Sequence, residues 1–154
     1  MAKAATKNST TQIAGHLKGV LADTYTLMIK THGYHWNVTG PLFPQLHKLF
    51  EDQYNALFSA ADEIAERIRA LDVFALGSMT AFLETTVVKE AGAQPPTAAA
   101  MVKDLMKTHE QVRARIAEAC DLAGELGDKS SEDIMIKRLD EHDKIIWMLR
   151  AQAG

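Results

Sequence analysis

The chain has little of what disulfide-built, β-rich or membrane proteins need. Cys120 is its only cysteine, so no internal disulfide can form and the cysteine-rich zinc motifs are excluded. Its 4 prolines, 9 glycines and 6% aromatics are too few for a turn-rich sandwich or barrel. No apolar run approaches the roughly 20 residues of a membrane span. The opening MAKAATKNSTTQIAGHL has lysines but no continuous hydrophobic segment behind them, so no secretory signal is visible. A basic excess is missing too: 17 Lys and Arg stand against 20 Asp and Glu, a formal net charge of -3, unlike a dedicated nucleic-acid binder. With 47% apolar and 24% charged residues, wholesale disorder is not expected. At 154 residues the chain is about one domain, and it reads as soluble, cytoplasmic and helical.

What is present is helical periodicity. Residues 1–10 are small and polar, with Lys3 and Lys7 and no acidic residue, and read as a flexible tail ahead of a domain at 11–154. From Thr11, Ile13, Leu17, Val20, Leu21, Leu27 and Met28 recur at three- and four-residue steps. This first helix should end near Asn37, before Gly40, Pro41 and Pro44. A second runs from Pro44 to about Asp72, on the order of 43 Å long at 1.5 Å per residue. A short helix near Met79 to Glu84 fits inside the long connection that follows. A third begins after Thr97 and ends at Gly124 and Gly127, and Asp128 or Ser130 can cap a fourth carrying Ile134, Ile136, Ile145, Ile146, Met148 and Leu149. The expected fold is an all-α four-helix bundle, up-down-down-up, with a short extra helix between helices two and three.

Most polar residues read as surface. His109 and His142 fall among charged neighbours and are expected on solvent faces, and His16 has no carboxylate at helical spacing. The segment from His35 to Glu66 differs. His47 and Glu51 are four apart on one helix, Asp62 and Glu66 repeat the spacing, and His35 sits across one short loop from His47. Imidazole plus carboxylate suits iron, manganese or zinc. From Glu51 to Asp62 is about 16 Å along the axis, whereas two metals in one centre lie only about 3.5–4 Å apart. One straight helix therefore cannot close the site. A second copy packed antiparallel across a two-fold axis could, giving two identical sites per dimer. The alternative is plain: Asp62 and Glu66 pair with Arg67 and Arg69, and His47 is a half-buried polar residue. No Glu-x-x-His occurs, so the intrasubunit centre of ordinary ferritin-like bundles is not encoded.

The stretches His35-Trp36-Asn37-Val38-Thr39-Gly40, Leu46-His47 with Glu51, and Asp62-Glu63-Ile64-Ala65-Glu66-Arg67 resemble the hallmark motifs of the Dps family, the mini-ferritins. The similarity extends over nearly the whole chain, through the LGD stretch before the last helix and Trp147-Met148-Leu149. It implies a ferritin-like homododecamer with a dinuclear iron centre at the subunit interface: His35, His47 and Glu51 from one subunit, Asp62 and Glu66 from its two-fold mate. Fe(II) would be oxidised there, preferably by hydrogen peroxide, and stored as ferric mineral, sparing DNA from hydroxyl radicals. Trp36 resembles the family's electron-donating tryptophan, and a packing role at the interface is compatible with that. Position 51 is Glu where many relatives carry Asp, which alters reach but not ligand chemistry. His32, one turn before His35, is either a further weak contact or a polar interface residue.

Asp128 and Asp133, with help from Glu125 or Glu132, sit where the family lines a three-fold channel, although Asp128 is equally a helix cap. Some members bind DNA through a lysine-rich tail. Here Lys3 and Lys7 are few, and twelve subunits at -3 sum to about -36, which repels phosphate. DNA coating through the tail, with nucleoid association, therefore stands as the alternative to iron oxidation. A bundle holding zinc for assembly is a more distant one.

Overall fold

The computed structural model describes residues 6–154, which form five helices and, among the described residues, no strand. They are α1 (Lys7–Asn37), α2 (Phe43–Ala70), the short α3 (Met79–Thr85), α4 (Ala98–Glu125) and α5 (Lys129–Ala153). Each start has a local cause. Thr6, Ser78, Thr97 and Asp128 are N-caps whose side chains accept a backbone N–H from the first turn, and α2 has Pro44 in its first turn instead. At the end of α4, Gly127 takes φ +76, a left-handed conformation that costs glycine little, and the Asp128 N–H returns to the Ala123 carbonyl at 2.9 Å.

The side-chain bridges fix the topology. Along α1 and α4, Lys30 meets Asp104 at 2.9 Å and Asp23 meets Arg115 at 3.3 Å, so one helix ascends as the other descends. His109–His142 and the contact of Cys120 Sγ with the Glu132 carbonyl give the same antiparallel order for α4 and α5. Arg67–Asp128 and Glu63–Lys137 do so for α2 and α5. The short loop after Asn37 turns α2 back along α1, so α2 and α4 run parallel, the up-down-down-up bundle. Leu17, Leu21 and Leu27 of α1, Phe50, Leu57 and Ile64 of α2, Leu105 and Ile116 of α4, and Met135 and Leu149 of α5 are buried in one core. Each such side chain contributes roughly 1.5–3 kcal/mol on burial.

The connection from α3 to α4 is strapped to α1 by one buried carboxylate. Asp23 Oδ1 accepts from Thr86 Oγ1 at 2.8 Å, the Val87 N–H at 2.9 Å and Arg115 Nη1 at 3.3 Å. Burial pushes its carboxyl upward, and these donors and the Arg115 charge oppose that rise. Arg115 reaches Asp23 only because residue 19 is glycine: a Cβ there would lie 1.9 Å from Arg115 Nη2.

Three expectations need correction. Helix one starts at Lys7, not Thr11, because Thr6 supplies the cap, so residues 7–10 are helical. His109 and His142 are buried, 0% and 1% exposed, on the α4–α5 seam, because helical phase outweighs their charged sequence neighbours. Ile136 and Met148 point outward, 51% and 39% exposed. No described helix is long and apolar enough to cross a membrane.

Candidate metal centre

The end of α1 and the start of α2 bring two imidazoles face to face. The rings of His35 and His47 stack with centroids 3.7 Å apart and planes 19° from parallel. His35 Nδ1 lies 2.7 Å from the His47 carbonyl, and His47 Nδ1 lies 2.8 Å from the His35 carbonyl. A carbonyl only accepts, so each Nδ1 carries its proton and donates. In the tautomer that this leaves, each Nε2 keeps its lone pair free. Backbone carbonyls thereby orient both rings as they do in metal-ligating histidines. The reciprocity also clamps residues 38–42, whose short loop holds the two helix ends together.

Glu51, one turn beyond His47, has its side chain 41% exposed, with Lys48 Nζ 3.7 Å away. Asp62 and Glu66 lie further along α2, both exposed. Neither has an ion-pair partner among the described residues, because the arginines that could neutralise them are engaged elsewhere. Arg67 donates to Asp128 Oδ1 at 2.8 Å and Arg69 sits 4.7 Å above the Phe74 ring. Asp62 borders a hollow of about 230 Å³ walled by Leu21, Tyr25, Phe58 and Phe82. Within one chain, the described residues bring no three of His, Cys, Asp or Glu together as a cation cage. The structure therefore gathers two imidazoles at one end of α2 and leaves two exposed carboxylates, Asp62 and Glu66, further along the same helix.

Beside the histidines lies an aromatic stack. His32 is sandwiched between Trp36, with centroids 3.9 Å apart, and Tyr54, at 4.1 Å, while Tyr54 meets His35 edge-on at 5.2 Å. Partial burial and then the nearby His35 lower the His32 pKa. Trp36 is 65% exposed, open to a neighbouring molecule. Tyr54 is a residue of this cluster that the sequence analysis does not single out; its position seven residues after His47 puts it on the same face.

The remaining candidates scatter. Asp128 caps α5 through the Ser131 N–H at 3.1 Å and holds Arg67. Burial alone would raise its pKa, but the Ser131 and Arg67 bonds outweigh that and keep it below the usual carboxylate value. Asp133 is exposed and lines a shallow hollow with Glu63, Lys137 and Asp140. Glu132 is tied to Lys129 at 2.6 Å, and Glu125 is exposed. Lys7 is the first residue of α1 rather than part of a tail, and Lys3 lies outside the described residues.

The ferritin-like domain model matches residues 14–154. DNA protection during starvation protein 2 of Bacillus anthracis is 35% identical over 140 residues, covering 91% of this chain and 95% of that protein. The chain belongs to the Dps family. Two solved Dps structures superpose closely on this Dps chain. That of Staphylococcus aureus has a TM-score of 0.90 at 33% identity over 94% of this chain and 96% of the other. The DPS protein of Vibrio cholerae O1, described as a member of a broad superfamily of ferritin-like diiron-carboxylate proteins, reaches 0.94 at 29% identity over 100% and 98%. An uncharacterised low temperature-induced protein of a Nostoc species is 41% identical over 132 residues, covering 85% of this chain and 74% of that one. The Dps family is concerned, as a group, with iron storage and DNA protection, and its ferritin-like diiron-carboxylate superfamily with iron binding and oxidation.

Proposed function

We propose that this chain is an Fe(II)-oxidising mini-ferritin whose dinuclear sites form between subunits of a homododecameric shell. The observation that carries the reading is the reciprocal clamp of His35 and His47, which leaves two Nε2 lone pairs within one helical turn of Glu51, while the described residues of one chain bring no three such donors together. Asp62 and Glu66 of a two-fold-related subunit supply the missing oxygens. They are free to do so, because Arg67 and Arg69 are occupied. Neutral imidazole and carboxylate are the donor set that iron accepts, and two carboxylates balance charge as Fe(II) becomes Fe(III). Hydrogen peroxide is the oxidant. Two Fe(II) each release one electron into its O–O bond, and two protons complete two waters. Removing iron and peroxide together is what spares DNA. Trp36, exposed beside the half-site, donates an electron when an oxidising equivalent strays. Asp133 and neighbouring carboxylates concentrate Fe(II) at an entry channel.

The intersubunit geometry gives a test that separates it from a site within one chain. His47→Gln and Asp62→Asn subunits are each expected to oxidise iron slowly. When the two are unfolded together and reassembled, half of the dimers are mixed, and each mixed dimer regains one intact site of two. Peroxide-driven oxidation, followed by the ferric absorbance, should therefore recover to about a quarter of the wild-type rate. No recovery on mixing would place the site elsewhere.

A further inference from the structure

His109 on α4 and His142 on α5 take no part in that chemistry. Their rings face each other on the seam between the two helices, with centroids 4.9 Å apart and Nδ1 atoms 2.9 Å apart. Both are buried, and neither Nε2 has a hydrogen-bond partner among the described residues. A bond between two Nδ1 atoms requires one to carry the proton and the other to offer its lone pair. One neutral ring is therefore the Nδ1–H form and the other the Nε2–H form, and the pair shares one proton across the seam without charge.

We propose that the His109–His142 pair is an acid-sensitive latch on the α4–α5 seam, closed while both rings are neutral and opened as they take up protons. The first added proton goes to the free Nε2 lone pair of the donor ring. It leaves the shared bond intact but makes an imidazolium sealed from water, its new N–H without an acceptor. The second must take the Nδ1 lone pair that accepts the shared bond. Two N–H groups then face each other and the seam parts.

The surroundings do not rescue the charge. On α5, Arg138 is 5% exposed and its partner Glu141 is 3.8 Å away; Asp143 is held by Arg113 of α4. From α2, Glu63 bonds Lys137 and acts on Arg138. From α1, Asp23 and Lys30 are committed to Arg115 and Asp104. Burial first, then Arg138, holds His142 down to about 3, with Asp143 opposing and Arg113 adding to the effect. Burial, then His142, holds His109 well below its ordinary 6.5. The unfolded chain thus binds more protons than the folded one once the pH falls below about 6.5. Folding weakens as the pH falls from there, for His142 down to about 3, by up to about tenfold in the equilibrium constant per pH unit for each ring.

The metal-free, full-length protein tests this by urea unfolding from about pH 7.5 to 4.5, at fixed protein concentration, against the double variant His109→Gln and His142→Gln. Glutamine hydrogen-bonds but takes no proton. Below about pH 6.5 the variant should lose stability more shallowly than wild type, by a factor approaching one hundred per pH unit. Parallel pH profiles overturn the proposal. If the variant does not fold, imidazole nitrogen resonances of the folded wild type decide: His109 and His142 still neutral at about pH 5 support the latch, and these two rings titrating near 6.5 overturn it. No iron enters either experiment, so its failure leaves the ferroxidase reading untouched.

Discussion

Asp128 shows how much one residue can hold. Its carboxylate caps α5, accepts the Ser131 hydroxyl and pairs with Arg67, tying the start of α5 to the end of α2. Asp128→Ala should cost about 2–3 kcal/mol by urea unfolding at neutral pH, about 1 from the cap and the rest from stranding a largely buried guanidinium. The bound carboxylate sits below its ordinary value of 3.8. Its stabilising effect is therefore complete above that value and is lost as the pH falls through the lower folded-state value. Wild type and variant should converge in strong acid, and an unchanged neutral-pH stability would show that cap and ion pair are dispensable. At this scale the sequence was informative in part. The His47–Glu51 and Asp62–Glu66 spacings announce that each pair shares a helix face, and Asp128 announces a cap. The carbonyl clamp on His35 and His47 was invisible, because backbone acceptors leave no trace in side-chain identity.

Among the elements, α1 is the most constrained. It packs on α2 and α4 and carries the strap that holds the α3–α4 connection, and Gly19 opens the way for Arg115 to reach Asp23. Gly15, one turn earlier, has nothing within 4 Å of where a Cβ would lie. The two glycines should thus respond oppositely to alanine. Gly15→Ala should stabilise by about 0.5–1 kcal/mol through helix propensity. Gly19→Ala should lose about 1–2 kcal/mol net, because Arg115 must leave a buried carboxylate without its cation. Thermal unfolding of both variants checks this, and equal shifts would refute the strap. The four long helices were legible because three- and four-residue apolar steps persist over several turns. The start of α1 was not, since Thr6 and Ser9 cap within a polar stretch that reads as tail. Nor was the burial of His109 and His142, whose neighbours Glu110 and Asp143 suggest solvent. Their register gives them away: His109 continues the line of Leu105, Val112 and Ile116, and His142 that of Met135, Ile145 and Leu149.

For the molecule as a whole, the single subunit leaves too much surface uncovered. It exposes 8605 Å², against about 7,700 Å² expected for a compact monomer of 17.0 kDa. Phe58, Phe74, Trp36 and Trp147 are all more than half exposed. Phe58 and Asp62 line the same hollow, so under the proposed pairing Phe58→Glu should block association there. Light scattering should then find particles far smaller than the roughly 200 kDa expected of twelve copies, with iron oxidation lost alongside; full-sized particles would move the interface elsewhere. The loop clamp gives this a further meaning. His35 and His47 are only twelve residues apart and bond each other's backbone, so the nitrogen half is finished as soon as the first hairpin of helices folds. In the proposed scheme the carboxylate half arrives only with a partner. A newly made subunit is then inert toward iron, and association itself licenses the reaction. Diluting the protein to lone subunits should silence oxidation with no residue changed, so redox chemistry begins only where a container has begun to close around it.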